Sequence, residues 1–341
     1  KDGFMEGMKF EQFVEIMSKH YCEQTKAMTC LGKECFQCPF HKVEGDDAKL
    51  LDGYRECWKE MANFEDADFD RPLVKDLNGQ NIRKGNFIAN HKYFMDELTY
   101  DDMDASKNSS EPGLDYLQRK WLQIAVATGN VELQKGFGSF LNDGVYVDTD
   151  GLKEEMAKLK FPLHFIDFET STVALPFTKG RYPYETTAFQ YSHHQLDADG
   201  KLTHTEWIST DRVFPNFDFV RALKHDLDGD SGTIFRYSHH ENSVLNQIAE
   251  QLQFSQEPDK DELVAFIQSI THDTKEDRYG ARDMVDLCEV VVRYYYDPSM
   301  KGSNSIKVVL PAVLRSRELQ KLYEKPYREY VSSPNFAEFD F

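Results

Sequence analysis

Two patterns of apolar and polar residues divide the chain at about residue 150. Before that point, apolar residues recur three and four positions apart, and this spacing predicts an amphipathic helix over 7–21. It also predicts a mainly helical region over 70–135, in which 114–124 is the clearest helix. No pattern typical of a parallel sheet occurs in the sequence before residue 160.

After residue 150, apolar and polar residues alternate in several short runs. Strands are predicted at 162–169, 186–194 and 202–209, and the Asp-Ala-Asp-Gly turn at 197–200 makes a hairpin of the last two. The other predicted elements are helix 151–160, helix 214–225, strand 232–237, helix 241–253, strand 263–267, helix 282–296 and helix 305–314. A three-strand meander followed by alternating helices and strands predicts an α/β fold, a mixed sheet flanked by helices.

The length of 341 residues suggests about two domains, and the 40 % of hydrophobic residues is typical of globular proteins. We divide the chain into a cysteine-rich module over 1–60, a helical connecting region over 61–150 and an α/β domain over 151–341. Because the chain begins at Lys1 rather than Met, we also expect it to be a fragment, with the last domain incomplete at its C-terminal end.

Charge and hydropathy narrow the classes of function. The net charge of −19 argues against a protein that coats nucleic acid through a basic surface. It does not exclude a nuclease, whose metal ions supply positive charge at an acidic site. The sequence has no apolar run of about 18 residues and no signal-peptide pattern, which favours a cytoplasmic protein without a membrane-spanning segment.

Two acids in the predicted strand 162–169 are the most informative residues of the chain. Since a strand alternates its faces, Asp167 and Glu169 point to one side, while Ile166 and Phe168 point to the other. Burying unpaired charge costs several kcal/mol, so the pair indicates a bound cation, a cationic partner or a strand end that opens into a cleft.

A third acid, Glu241, follows the predicted strand 232–237 and opens the next helix. Ligands of open α/β sheets bind at strand ends next to a central strand, so Glu241 is expected close to Asp167 and Glu169. Three carboxylates around a cleft suit Mg²⁺ or Mn²⁺, which prefer oxygen ligands. The alternative is a salt-bridged pair of acids at a strand end, without a metal.

Three segments resemble a known superfamily. They are FIDFET at 165–170, FQYS at 189–192 and YYxDPxMKGSxSIKxVLP at 294–311. An Asp-x-Glu strand, a hairpin strand and an acid that opens a helix after the fourth strand resemble the DEDD superfamily of 3′–5′ exonucleases, the DnaQ-like group with a ribonuclease-H-like fold. More closely, the segments resemble an uncharacterised bacterial family in which a DnaQ-like domain follows a RecB-like nuclease module. The resemblance covers about residues 160 to 341.

The resemblance implies roles for the acids. Asp167 and Glu169 would be metal ligands of the first motif, and Glu241 stands where most of these enzymes carry Asp. Asp286 would match an Asp that is not a ligand. A fourth acid, with a His or Tyr that activates water, is expected beyond the helix at 305–314, where Glu338 and Asp340 are weak candidates.

The implied mechanism is phosphodiester hydrolysis with two metal ions, and Asp167 would bridge the two ions. His239 or His240 is a candidate general base, although exposed histidines at a strand end are the more ordinary interpretation. Lys307 or Arg236 is a candidate phosphate contact, against the ordinary interpretation as a solvated or structurally paired cation.

Five of the six cysteines lie in the first 57 residues, which favours a metal site over a disulfide framework. The candidate ligands are Cys30, Cys35, Cys38 and Cys57. Zinc, with His41 as a further ligand, and a [4Fe–4S] cluster are both compatible with thiolates. Cys288 lies in a predicted helix and is expected in the core.

The cysteine segment also resembles the cysteine-rich tail of RecB-like nucleases that carry a [4Fe–4S] cluster. That resemblance implies Cys35, Cys38 and Cys57 as the downstream ligands, with Cys30 or an upstream cysteine as the fourth, and favours iron–sulfur over zinc. No Asp…Glu-x-Lys pattern of the nuclease core occurs in residues 1 to 150, so that domain would lie upstream in the same protein.

The sequence therefore predicts a metal-dependent 3′–5′ exonuclease, a hydrolase of phosphodiester bonds in DNA or RNA whose substrate is a single-stranded 3′ end. The alternative is a catalytically inactive nucleic-acid-binding or scaffolding component with a structural metal site.

Overall fold

A computed structural model describes residues 8–25, 30–43, 45–79, 81–103, 112–315, 321 and 331–332. Its packing divides the chain into two units. The first unit comprises residues 1–110, 114–144 and 301–303, and the second comprises 111–113, 145–300 and 304–341. Among the described helices, none is long and apolar enough to cross a membrane.

The first unit is mainly helical. Its regular elements are α1 Phe10–Glu23, α2 Gly53–Ala62, α3 Asn81–Ala89, α4 Tyr116–Ala127, α5 Val131–Lys135 and the short strand β1 Leu141–Asn142. Trp58 and Val74 are fully buried in its core, and the side chains of Cys35 and Cys38 pack against that core. The predicted helices at 7–21 and 114–124 are confirmed by α1 and α4.

The prediction of a mainly helical region over 70–135 was too broad. Much of this region forms single 3₁₀ turns, such as Met95–Glu97 and Tyr100–Asp102. In each turn an acidic side chain accepts a hydrogen bond from a backbone N–H three residues earlier: Glu97 from Phe94 at 2.9 Å, and Asp102 from Thr99 at 2.7 Å. Such local side-chain bonds offer the backbone an alternative to a continuous helix.

The second unit contains the sheet. Its elements are β2 Val145–Val147, α6 Thr149–Lys158, β3 Leu163–Ser171, β4 Thr187–Leu196, β5 Leu202–Ile208, α7 Asn216–Leu227, β6 Thr233–Arg236, α8 His240–Gln253, α9 Lys260–Ile270, β7 His272–Asp273, β8 Arg278–Tyr279, β9 Val285–Asp286, α10 Leu287–Tyr294, β10 Tyr295–Tyr296, α11 Ile306–Val313 and β11 Val331–Ser332. Outside the main sheet, β2 pairs with β10, and β7 pairs with β8.

The main sheet has the strand order β11-β5-β4-β3-β6-β9 and is mixed. Strands β3, β4 and β5 form the antiparallel meander, whereas β6 runs parallel to β3 and β9 parallel to β6. One face packs on α7, α8 and α9, whose Leu223, Leu245 and Ile267 are fully buried. The predicted mixed α/β sheet flanked by helices is confirmed, with β3 in the interior of the sheet.

The hairpin between β4 and β5 forms where the sequence predicts it. The Asp197 carboxylate accepts hydrogen bonds from the backbone N–H groups of Asp199 at 3.0 Å and Lys201 at 2.8 Å. Gly200 has a φ of +82°, a conformation that glycine adopts without strain. This turn fixes the register in which β4 pairs with β5.

Two predicted elements were wrong. The predicted strand at 263–267 lies within the helix α9, whose buried Leu263, Phe266, Ile267 and Ile270 are spaced three and four residues apart. A five-residue apolar window cannot distinguish that spacing from a buried strand. The predicted helix at 282–296 begins instead with the strand β9, and its helical part is only α10.

Candidate active site

A cleft of about 760 Å³ opens on the sheet face opposite the one that α7, α8 and α9 cover. It lies over β3, β4 and β6, and residues from the beginnings of α8, α10 and α11 form its other walls. Seven of its lining residues are Asp167, Ser192, His194, Arg236, His240, Glu241 and Cys288. The cleft therefore contains two of the three carboxylates that the sequence singled out.

The alternation of β3 places its acids as predicted. Asp167 and Glu169 are exposed on one face, while Ile166 and Phe168 are buried in the core on the other. Asp167 lies opposite Ser192 of β4 and lines the cleft. Glu169 shares its face but is not among the lining residues, and the register with β4 shifts just after it, between Glu169 and Thr170.

Glu241 lies in the first turn of α8 and is almost completely buried, with 4 % of its surface exposed. The chain turns into this helix at Ser238, whose φ is +69°. Within the part of the chain that the structure describes, the Oε2 atom of Glu241 has no hydrogen-bond partner. Burial, reinforced by the carboxylates of Asp167 and Asp286, raises the pKa of Glu241 to about 7.

Asp286 forms hydrogen bonds and an ion pair within the fold. Its Oδ1 accepts hydrogen bonds from the backbone N–H groups of Ser238 at 2.8 Å and Cys288 at 2.9 Å, which caps α10. Its Oδ2 lies 2.8 Å from Nη1 of the buried Arg236. Arg236 is therefore a structurally paired cation, while Lys307 lies exposed on α11.

Both strand-end histidines are exposed, in line with the ordinary interpretation of them. His240 begins α8 and lines the cleft, where its Nε2 lies 3.4 Å from Oγ1 of Thr170 at the end of β3. His239 precedes it, with Nδ1 3.2 Å from the Ser238 hydroxyl oxygen. Of the two, only His240 lines the cleft.

The prediction that Cys288 lies in the core was wrong. Its thiol is half-buried and lines the cleft, because Cys288 lies in the first turn of α10 at the cleft wall rather than in the middle of the helix. Its Sγ lies 3.8 Å from the carbonyl oxygen of Asn304. A half-buried thiol therefore faces the same space as Asp167 and Glu241.

The donors in the cleft have the chemistry that a divalent cation requires. Asp167 and Glu241 supply hard carboxylate oxygens, one of which is buried and unpaired. A cation would offset the cost of burying the Glu241 charge, which is the main cause of its raised pKa. However, no three or more His, Cys, Asp or Glu side chains among the described residues form a group that could hold a metal ion. Glu338 and Asp340 lie outside the described residues.

The cysteines of the first unit are free thiols. Cys35, Cys38 and Cys57 are half-buried, whereas Cys30 is exposed. Burial raises the pKa of the Cys35 thiol, to which the nearby Cys38 and Cys57 contribute, while a hydrogen bond from the Gly32 backbone N–H opposes the rise. His41, considered as a zinc ligand, has its Nδ1 3.1 Å from the Asp52 carboxylate.

Sequence reasoning missed a buried histidine pair on the core face of the sheet. His164 is completely buried in β3, and its Nδ1 lies 2.9 Å from Nε2 of His193 in β4. The other nitrogen of His164 is 3.0 Å from the Asp230 carboxylate, and that of His193 is 2.9 Å from the Thr205 hydroxyl oxygen. The signal was present, because His164 alternates in phase with the core residue Ile166.

Comparison with known proteins adds one match. A family model described as a domain of unknown function (DUF2779) matches residues 164–305. The matched range runs from the second residue of β3 to the residue before α11, and it contains Asp167, Glu169 and Glu241. No curated protein and no solved structure matches the chain significantly.

Proposed function

We propose that this protein is a metal-dependent 3′–5′ exonuclease that hydrolyses phosphodiester bonds of DNA or RNA. The observation that carries the proposal is the cleft that joins Asp167 of β3 to the buried Glu241, whose Oε2 atom has no hydrogen-bond partner among the described residues. A buried carboxylate oxygen without a hydrogen-bond partner costs stability, so its presence in a cleft points to a ligand that completes it.

The strand arrangement supports the ribonuclease-H-like fold that the sequence resemblance implies. The strand with the Asp-x-Glu pair is flanked by its antiparallel hairpin partner β4 and by the parallel β6. The helix that follows β6 carries Glu241 in its first turn. This is the order of elements on which the resemblance to the DnaQ-like exonucleases rests.

In this proposal, some residues would hold the metal ions and others keep the site in place. Asp167 and Glu241, with Glu169 beside them, would hold Mg²⁺ or Mn²⁺ ions, which when bound lower the pKa of water and stabilise the leaving oxygen. Asp286 and Arg236 keep the turn before α8 in place through their ion pair. Glu241 must lose its proton to act as a ligand, and its raised pKa makes that step dependent on pH near neutrality.

The test is digestion of a 5′-labelled single strand in the presence of Mn²⁺. Wild-type protein is expected to shorten the strand from its 3′ end, and Asp167→Ala is expected to stop the reaction. Asp199→Ala, in the exposed turn between β4 and β5, is the matched control. Unchanged digestion by Asp167→Ala would contradict the proposal, provided that both variants melt at the wild-type temperature.

One observation favours a second candidate, a catalytically inactive nucleic-acid-binding or scaffolding component. The described side chains form no group of three metal ligands, so the carboxylates of the cleft alone do not complete a site. Binding of a single strand without any digestion, under conditions in which Mn²⁺ raises the melting temperature, would favour this candidate over the exonuclease.

We also propose a cysteine-ligated centre in the first unit, a [4Fe–4S] cluster rather than Zn²⁺. The effect of Cys38 and Cys57 on the pKa of the Cys35 thiol supports it, and Cys30 is the candidate fourth ligand. Protein purified without oxygen is expected to be brown and to contain iron and sulfide. Colourless protein that contains only zinc would contradict the cluster.

A further inference from the structure

The connection between β3 and β4 exposes an unusual number of large apolar side chains. It spans residues 172–186, here called the aromatic loop. Phe177 is 80 % exposed, Tyr182 76 % and Tyr184 70 %, and Leu175 is exposed to a similar extent. Single exposed apolar residues are ordinary, but a group of them on one loop marks a surface that binds something.

The aromatic loop is held in one conformation by its own contacts. The Arg181 guanidinium lies 3.4 Å from the centre of the Phe214 ring and 3.2 Å from the Glu185 carboxylate. The backbone N–H of Tyr182 donates to Glu185 at 3.0 Å. Tyr184 has a φ of +62°, a left-handed conformation that is strained in a residue other than glycine. These contacts order the backbone that carries both exposed tyrosine rings.

The rings stand between two concave surfaces. A cleft of about 600 Å³, lined in part by Phe177, Tyr182 and Phe214, lies on one side. A second cleft of about 840 Å³, lined in part by Tyr182, Tyr184 and the exposed Phe254, lies on the other. Because Tyr182 lines both clefts, its ring forms part of a ridge between them.

The first of these clefts begins where the acidic strand ends. Ser171, the last residue of β3, lines it. Ser171 follows Asp167 by four residues, which corresponds to roughly 13 Å along a strand. A chain of nucleotides would cover that distance within a few units, so one strand can reach both the acids and the aromatic loop.

Cations accompany the exposed rings, although the whole chain carries a net charge of −19. Lys179 lines one cleft and Arg212 the other, and both are exposed. In the described structure, neither side chain forms an ion pair or hydrogen bond. Aromatic faces beside unpaired cations are the combination that binds single-stranded nucleic acid, whose bases stack and whose phosphates are negative. Paired bases of a duplex do not offer their faces in this way.

We propose that the aromatic loop is a base-stacking platform that guides a single-stranded nucleic acid toward the cleft of Asp167 and Glu241. Tyr182 and Tyr184 supply the stacking faces, and Lys179 and Arg212 contact phosphates. The direction in which the nucleic acid runs rests on the proposed function, because its end would lie at Asp167 and Glu241. Its binding step is independent of hydrolysis.

The test measures binding of a short 5′-fluorescein-labelled oligodeoxyadenylate to the full chain by fluorescence anisotropy in EDTA, so that no metal-dependent hydrolysis occurs. The double variant Tyr182→Ala/Tyr184→Ala is expected to bind at least about 10-fold more weakly, because it removes both stacking faces. Tyr182→Phe/Tyr184→Phe keeps the ring faces and is expected to bind like wild type. Tyr279→Ala, which removes an exposed tyrosine of the same unit, is the matched control.

Salt dependence tests the cations separately. Lys179→Ala/Arg212→Ala is expected to reduce the slope of log affinity against log salt by about 0.7 for each phosphate that the variant no longer neutralises. An unchanged slope would overturn the assignment of these two side chains.

The outcomes separate this proposal from the exonuclease. If the double alanine variant binds within about twofold of wild type, or wild type binds no single strand, the platform is wrong even where Asp167→Ala abolishes digestion. If binding falls as expected but Asp167→Ala digests normally, the platform stands and the assignment of the acids fails. Equal binding of a duplex, or retention of a peptide ligand in preference to the strand, would also overturn the platform.

Discussion

Buried polar side chains lie on both sides of strand β3, and they differ in whether their hydrogen bonds are complete. On the core face, both ring nitrogens of His164 and both of His193 have partners. On the cleft face, the neighbouring Glu241 is buried with an unpartnered carboxylate oxygen. The completed network is structural, whereas the incomplete one is poised for a ligand, because a satisfied polar group gains nothing from a further partner.

The largest difference between the cleft face and the core face of β3 is expected in the rate of digestion. Glu241→Gln removes a charge from the cleft face but keeps the shape of the side chain, and we expect digestion to slow roughly 100- to 1000-fold, the usual effect of removing one electrostatic interaction with a reacting centre. Asp261→Asn, an exposed acid-to-amide change on α9, is the control and should leave the rate unchanged. A rate for Glu241→Gln close to wild type would place the acid outside the chemistry.

On the core face, a substitution is expected to reduce the stability of the fold. His164→Ala removes the hydrogen bonds of His164 with His193 and Asp230 and the packing of a fully buried ring, so we expect a loss of about 3 kcal/mol in the free energy of unfolding, measured with urea. His239→Ala, at an exposed position, should cost less than about 0.5 kcal/mol. Equal effects of the two substitutions would show that the buried pair is not a structural network.

The elements around both faces were largely predictable. The alternation in β3 and the Asp-Gly turn of the hairpin are strong local signals, as is the apolar spacing of α7 and α8, so these elements form where the sequence predicts them. Local pattern failed at α9, where Leu263 to Ile267 fits either a strand or a helix. It also failed where acidic side chains such as Asp102 close single turns.

The candidate site was predictable in part. Asp167 and Glu241 meet in one cleft because β3 and β6 are adjacent and parallel, which the order of elements implied. The missing bond of Glu241, the position of Cys288 in the cleft wall and the contact of His164 with His193 depend on how distant segments pack. No short-range pattern of residues encodes such contacts.

Low pH should reduce the stability of the fold through the histidine pair on the core face. Burial, helped by the neighbouring His164, lowers the pKa of His193 to about 4, whereas the unfolded chain binds that proton near pH 6.5. Between these values the unfolded state binds more protons, so stability falls as the pH decreases. In Glu241→Gln, which lacks the opposing titration of that buried acid, we expect a loss of about 2 kcal/mol between pH 6.5 and pH 5, measured as urea unfolding at each pH. A flat profile in this range would mean that the histidine pair is charged in the fold.

The cleft face should respond to pH with the opposite sign. Because the folded protein raises the pKa of Glu241 to about 7, from 4.5 in the unfolded chain, it binds more protons than the unfolded state between these values, and this residue lowers stability as the pH rises. Glu241→Gln removes that cost, so we expect it to be more stable than wild type by about 3 kcal/mol at pH 8 and within about 0.5 kcal/mol of it near pH 4.5. Addition of Mn²⁺ at pH 8 should close the gap by raising the melting temperature of wild type alone, since a ligand stabilises only the form that binds it. If Mn²⁺ stabilises both proteins equally, the unpartnered oxygen is not a cation ligand. The buried acid on the cleft face would then have no role in metal binding.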